Sequence, residues 1–291
     1  MSDPNRGLPA ARLALERVLA GGAEARRAAL EPLAGGTHRR SWLAIFPDGR
    51  NAVLRLPMLH SRALLDAATE ARAMDAAAAA GIAPAVIGVD AERGVLLTEY
   101  RRAARWTPAE ARVAANIERL AAVLRTLHSL PTALPAFAAE RIAARYLAEL
   151  PSHVREPRAS QWGDELVLLA RRYDARYAPT AFCHNDLVAA NVLDDGGLAL
   201  VDFEYAVRAE PLLDLANLAA MNGFGAAEHR TLLATYRRAT PTAAELAELE
   251  WLVRMQRLMA WFWALLGDAN ADDSSLYAPY LAAFAADLRQ E

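Results

Sequence analysis

The chain of 291 residues contains no lysine: all 32 of its basic residues are arginines. That excludes chemistry built on a lysine amine, whether a Schiff base or the Gly-Lys-Ser/Thr of a P-loop. Cysteine is almost as scarce. The single Cys183 allows no internal disulfide and argues against a cysteine-based metal centre. No stretch offers the ~18 strongly apolar residues of a helical membrane span. Residues Met1 to Gly22 lack the apolar core of a secretory signal. Positive charge is also missing in excess: the formal net charge is −3, which leaves no basic footprint for nucleic acid. These absences predict a soluble, cytoplasmic chain, monomeric or homodimeric, with neither nucleic acid nor membrane as partner.

Apolar residues are plentiful, at 54% hydrophobic against 23% charged, which provides core for one large or two modest domains. Leu13, Leu15, Val18 and Leu19 predict a helix over Pro9–Ala20, stopped by Gly21-Gly22, with a second short helix over Ala23–Leu30. Trp42–Phe46 and Asn51–Leu56 flank the turn signal Pro47-Asp48-Gly49 and read as paired strands. The turn Gly35-Gly36-Thr37 ahead of them can lay backbone N–H groups against phosphate. Arg55 stands between apolar neighbours on the returning strand, where a charge needs a partner or a ligand. A helix is expected over Arg62–Ala80, ending at Gly81, with Glu70 near its middle. Taken alone, Glu70 reads as solvent-facing. Ala85–Val89 and Val95–Thr98 make a second hairpin.

Thr107-Pro108-Ala109-Glu110 is a capping box that opens a helix expected to run to Leu130, before Pro131. His128 near its end reads as structural. Helices are predicted over Ala138–Leu150 and Gln161–Tyr177, and another starts at Pro211. Asp214 within it is either a first-turn acid or a brace for a neighbouring loop. A second capping box, Thr242–Glu245, opens a long helix carrying Trp251, Met255, Met259, Trp261, Trp263 and Leu266.

The most informative stretch is Phe182–Tyr205, F-C-H-N-D-L-V-A-A-N-V-L-D-D-G-G-L-A-L-V-D-F-E-Y. Val192-Leu193, the turn Asp194–Gly197 and Leu198–Val201 predict a hairpin. Centred on Asp195/Gly196, it sets Asn191 opposite Leu200 and returns Asp202 beside Asn191, on strands about 4.8 Å apart. Paired oxygen donors of this kind suit Mg²⁺. Asp186, on the loop entering the same corner, is left to accept a proton.

H-N-D-L-x-x-x-N followed by D-F-E resembles the catalytic and metal loops of the kinase-like phosphotransferases. C-H-N-D-L, V-D-F-E-Y-A and D-L-A-N at Asp214–Asn217 are most similar to the choline/ethanolamine kinase branch, within the aminoglycoside phosphotransferase and protein-kinase-like superfamily. The resemblance implies an α+β, two-lobed protein-kinase-like fold, with a small antiparallel-sheet lobe over 1–98, a hinge at 99–102 and a larger, mainly helical lobe over 103–291. It implies transfer of the ATP γ-phosphoryl group to a hydroxyl of a small amino alcohol such as choline or ethanolamine. An aminoglycoside or thiamine is the alternative acceptor, and a catalytically silent, kinase-shaped binding protein is the alternative of a different class.

The same resemblance makes Asp186 the base and gives Mg²⁺ to Asn191 and Asp202, with Glu204 near the metal. Nucleotide contacts fall to Gly35, Gly36, Thr37, Arg55 fixed by Glu70, and the backbone of Glu99 and Tyr100. The acceptor falls to Asp186, Glu204, Tyr205, Trp261 and Trp263. Two departures stand out. His38 and Arg39 follow the glycine turn where the family commonly has Ser/Thr and Asn, and Trp261 and Trp263 are two apart where the family's pair is three apart.

Overall fold

A computed structural model describes residues 7–33, 39–57, 66–131, 133–151, 154, 158–270 and 276–290. Two compact units divide the chain: Met1–Arg105 with Ala190–Ala206, and Trp106–Ala189 with Val207–Glu291.

The first unit is built on an antiparallel sheet of five strands: β1 (Ala29–Leu33), β2 (Arg39–Ile45), β3 (Asn51–Pro57), β4 (Val86–Asp90) and β5 (Val95–Glu99). Their order is β1-β2-β3-β5-β4, so β3 is central and carries Arg55 between Ser41 and Leu96. Helix α1 (Leu8–Val18) packs Ala11, Ala14 and Leu15 onto Trp42, Ala44, Leu54 and Leu97. The helix expected to reach Leu30 is shorter: α2 covers Ala23–Arg27, and Ala29–Leu33 pairs with β2 instead. Pro32 explains the switch, because it breaks a helix interior yet is tolerated on a sheet-edge strand such as β1. Helix α3 (Ala67–Ala79) starts where Asp66 accepts a hydrogen bond from the Thr69 amide at 2.8 Å. The expected earlier part of that helix, from Arg62, falls outside the described residues. A small sheet completes the unit, with β6 (Ala104–Arg105), β8 (Val192–Asp194) and β9 (Leu198–Leu200) in the order β6-β8-β9.

The second unit is mainly helical: α4 (Pro108–Ala111), α5 (Ala114–Ser129), α6 (Ala139–Glu149), α7 (Ala159–Arg176), α8 (Leu212–Met221), α9 (Ala226–Arg237), α10 (Ala243–Asn270) and α11 (Ala278–Gln290). Strands β7 (Ala181–Cys183) and β10 (Val207–Ala209) pair antiparallel within it. The capping box at Thr107/Glu110 forms as expected, but the helix it opens is broken after α4. Val113 is extended, and Asn116 donates its side-chain amide to the Glu110 carbonyl at 3.0 Å, which terminates the first turn. α8 is buried on every side from Leu212 to Ala220, the pattern of a helix at the centre of a core. The composition is the α+β arrangement expected, a small antiparallel sheet with a mostly helical remainder. Among the described residues, no helix is long and apolar enough to cross a membrane.

Tyr277 shows how tightly α10 is covered. Its ring lies against Gly267, where an added Cβ would come within 2.2 Å of the ring carbon Cε1. Gly267→Ala should therefore destabilise the fold by about 1–3 kcal/mol through overpacking, read as a lower thermal midpoint. In a Tyr277→Ala background the clash is gone, and alanine's better helix propensity should reverse the sign.

Candidate active site

In the first unit, a buried ion network centres on Arg55. Its guanidinium donates to Glu70 Oε1 through Nη2 and to Asp202 Oδ1 through Nη1, the latter at 2.6 Å. Arg55 is 8% exposed and Glu70 is fully buried at 0%. Burial by itself would lower the Arg55 pKa, but the charges of Glu70, Asp202 and Glu204 hold it above the ordinary arginine range. The fork is thus a permanent cation whose two ends face different carboxylates. Glu70, solvent-facing when taken alone but paired with Arg55 in the resemblance, is drawn inward by this partner as the resemblance implies, and Met74 one turn on brings its sulfur within 3.6 Å of Nη2.

The β8–β9 hairpin forms one residue away from the expected register. Val192 pairs with Leu200, Leu193 with Ala199 and Asp194 with Leu198. Asn191 therefore lies opposite Val201, whose amide donates to the Asn191 carbonyl at 3.0 Å. The cause is the turn, which holds three residues because Gly196 adopts a left-handed φ of 105°. Asp194 and Asp195 cap it by accepting from the amides of Gly196 (3.0 Å) and Gly197 (3.2 Å). Arg101 grips the same turn, donating through Nε to Asp195 Oδ2 at 2.7 Å and through Nη2 to the Gly197 carbonyl at 3.0 Å. Its hydrogen bond is the main cause that lowers the Asp195 pKa to about 2. Arg105 donates to the Ala190 carbonyl at 2.7 Å, just before Asn191. The hairpin thus brings Asn191 next to the residue that precedes Asp202.

Asp202 itself has a φ of 70°, left-handed for a residue with a side chain. Such a conformation costs roughly 1–2 kcal/mol and is best tolerated by Asn and Asp. The next two residues, Phe203 and Glu204, are buried at 0% and 4%. Asn191, at 6% exposure, and Glu204 add an amide oxygen and a carboxylate to the Asp202 carboxylate. All three are hard oxygen donors of the kind Mg²⁺ takes.

At the end of the central sheet, the amide of Glu99 donates to the Ala85 carbonyl (2.9 Å) and that of Tyr100 to the Asn51 carbonyl (3.1 Å). Both N–H groups are thus already engaged within the first unit. Gly35, Gly36, Thr37 and His38 lie outside the described residues.

In the second unit, the loop after β7 is strung along one face of α8. Asp214, fully buried, accepts from the amides of His184 (2.8 Å) and Asn185 (2.7 Å). Asn217 accepts from the Leu187 amide at 2.7 Å, and Asn222 from the Ala189 amide at 2.8 Å. The Asn222 side-chain amide also returns a bond to the Leu187 carbonyl at 2.8 Å. Helical spacing places 214 and 217 one turn apart and Asn222 stands at the C-cap of α8, so three short polar side chains hold the loop by its backbone. Asn185 is held at a left-handed φ of 59°, directly before the half-buried Asp186. Asp214 is therefore a loop brace. His128 is structural, as expected, while the loop contacts of Asn217 and Asn222 have a sequence signal only in Asn217, a polar interruption of the apolar run Leu212–Met221. His128, Cys183 and Asp214 converge, with donor atoms within 4.8 Å of one another. Burial raises the Cys183 pKa well above the ordinary thiol range.

The aromatic candidates separate. Trp261 is 2% exposed, edge-on to Trp162 at 4.8 Å and to Phe262 at 4.9 Å, as core residues pack. Trp263 is half-buried and meets Tyr277 at 5.6 Å and Tyr280 at 6.0 Å, with Tyr280 42% exposed. Tyr205 is half-buried at the end of the metal-side segment.

No curated protein matches the chain. Among solved structures, it is similar to a choline/ethanolamine kinase family protein from Mesorhizobium loti, at 27% identity and a TM-score of 0.76, covering 96% of this chain and 94% of that one. It shares the fold of the choline kinase LicA from Streptococcus pneumoniae, at 19% identity and a TM-score of 0.74, over 90% and 94% of the two chains. LicA has also been solved in complex with AMP. The fold extends to the aminoglycoside phosphotransferase APH(4)-Ia, at 19% identity and a TM-score of 0.59, over 89% and 94%. The family model for the phosphotransferase enzyme family (APH) matches residues 29–274, and with most of its 291 residues inside that match the chain belongs to this family.

Proposed function

We propose that this protein is a kinase that transfers the γ-phosphoryl group of ATP to a hydroxyl of a small amino alcohol, choline or ethanolamine being the class. The observation that carries the proposal is the buried Arg55 fork, held by Glu70 and reaching Asp202. A permanent cation, fixed from behind by a buried acid, is suited to phosphate charge. Asp186 orients the acceptor hydroxyl and takes its proton. The acceptor oxygen forms the new P–O bond while the bond to the bridging β,γ-oxygen breaks, and ADP leaves with that electron pair. Asn191, Asp202 and Glu204 would hold Mg²⁺, which neutralises phosphate charge when bound. Most of the rate in such a reaction comes from positioning and electrostatics.

The acceptor class rests on two supports. The similar proteins from M. loti and S. pneumoniae carry choline or ethanolamine kinase descriptions. Trp263, with Tyr277 and Tyr280, offers a partly open aromatic group of the kind that attracts a quaternary ammonium. An aminoglycoside is the second reading, favoured by the acids on and around α10. Two of those acids are already engaged, Glu245 by Arg237 and Glu248 by Arg176, which weakens a polycation site there.

ATP consumption measured with Mg²⁺ against choline, ethanolamine, thiamine and a panel of aminoglycosides tests the proposal. Saturable turnover with choline or ethanolamine is the expected result. Saturation by an aminoglycoside alone would move the acceptor class. ATP binding without turnover on any hydroxylated amine would mark a catalytically silent binding protein.

A further inference from the structure

We infer that His128 and Tyr236 are positioning residues for the loop that carries Asp186, acting through Asp214; the inference rests on the role proposed for Asp186. His128, at the end of α5, places Nε2 3.0 Å from Asp214 Oδ2 and Nδ1 2.7 Å from the Tyr236 hydroxyl on α9. The His128 side chain is 4% exposed and that of Asp214 is 0%. Arg125, one turn earlier on α5, donates to the Thr235 carbonyl at 2.8 Å and so fixes the turn of α9 that bears Tyr236.

The donors and acceptors fit one tautomer. Burial raises the Tyr236 pKa above the ordinary phenol range, so its hydroxyl keeps its proton and can donate to Nδ1. With the Tyr236 hydroxyl donating to Nδ1, the imidazole N–H is the one on Nε2, which points at the Asp214 carboxylate. With the amides of His184 and Asn185, that carboxylate receives three N–H donors. Cys183 on β7 lies against the same group as a protonated thiol. Each link removes a freedom from the next. The Tyr236 hydroxyl selects the tautomer, the tautomer fixes the carboxylate, and the carboxylate holds Asn185 in its left-handed conformation immediately before Asp186. Without the hydroxyl, the imidazole can move its proton to Nδ1 and turn a lone pair toward Asp214, a repulsive contact. The chain is a brace read out in the placement of Asp186, with no atom of its own on the substrate.

Steady-state kinetics and amide hydrogen exchange of residues 183–189, run together on Tyr236→Phe, His128→Leu and His128→Gln, test the brace. Displacement of a reacting group by about 1 Å from a distant change costs on the order of 10²-fold in rate. His128→Leu should lose kcat on that scale with the KM for ATP unchanged, and the His184 and Asn185 amides should exchange faster. His128→Gln retains a side-chain N–H for Asp214 and should recover much of kcat. Tyr236→Phe, which preserves volume but leaves Nδ1 without its donor, should lose kcat severalfold with a thermal midpoint lowered less than in His128→Leu. Unchanged kcat in both His128→Leu and Tyr236→Phe would overturn the inference. So would equal losses in His128→Leu and His128→Gln that follow the fall in thermal midpoint. If the unmodified protein transfers phosphate to no acceptor, the assigned reaction fails; in that case exchange alone decides the brace, and unchanged protection of the two amides removes it.

Discussion

Asp186→Ala is expected to lose about 10²–10⁴-fold in kcat, the range of a removed general base, while ATP binding persists. The split follows from where the residue sits. Asp186 belongs to the loop braced by Asp214, Asn217 and Asn222, whereas Arg55, Glu70 and Asp202 form a separate ion network within the first unit. Removing one carboxylate from the loop leaves that network intact. A coupled assay for ADP gives kcat, and calorimetric titration with Mg·ATP gives affinity. An undiminished kcat would reject the role of Asp186. Affinity lost in parallel with rate would instead place the residue in nucleotide binding.

Arg55→Ala should produce the largest loss of stability, because it takes the cation from the fully buried Glu70. Breaking a buried ion pair by removing one partner costs about 3–5 kcal/mol, mostly the penalty of the uncompensated charge left behind. The urea midpoint should fall accordingly, with the slope of the transition unchanged. The double variant Arg55→Met/Glu70→Leu removes both charges and fills the volume, so it should recover most of the lost stability. Under the phosphate role proposed for Arg55, it should remain without phosphotransfer. Recovery of activity along with stability would show Arg55 to be structural only. The Asp202 partner is less informative for stability, because its side chain is 32% exposed and its share of the pair is screened.

Hydrogen bonding explains which parts of the site could be read in advance. The β8–β9 hairpin was visible because Asp194-Asp195-Gly196-Gly197 is turn chemistry between two apolar runs. Its register was missed by one residue because the left-handed Gly196 makes the turn three residues long, and composition alone does not fix that count. The capping boxes at Thr107 and Thr242 were local signals with local partners, and both formed. The α4–α5 break and the β1 strand depend on partners farther away, the Glu110 carbonyl reached by Asn116 and the β2 edge met by Ala29–Leu33.

The absence of lysine and the order H-N-D-L-x-x-x-N to D-F-E settled, from the sequence by itself, that no lysine clamps phosphate here and that the motif's polar groups lie in one short stretch. Tertiary structure alone decided that Glu70 is buried, that Trp261 packs in the core while Trp263 is half-buried, and that Asp214 receives His128 from α5. The physical reason is range. Turns, caps and motifs are fixed by neighbours within a few residues, whereas burial and the pairing of charges such as Arg55 with Asp202, 147 residues apart, exist only once distant segments share a core.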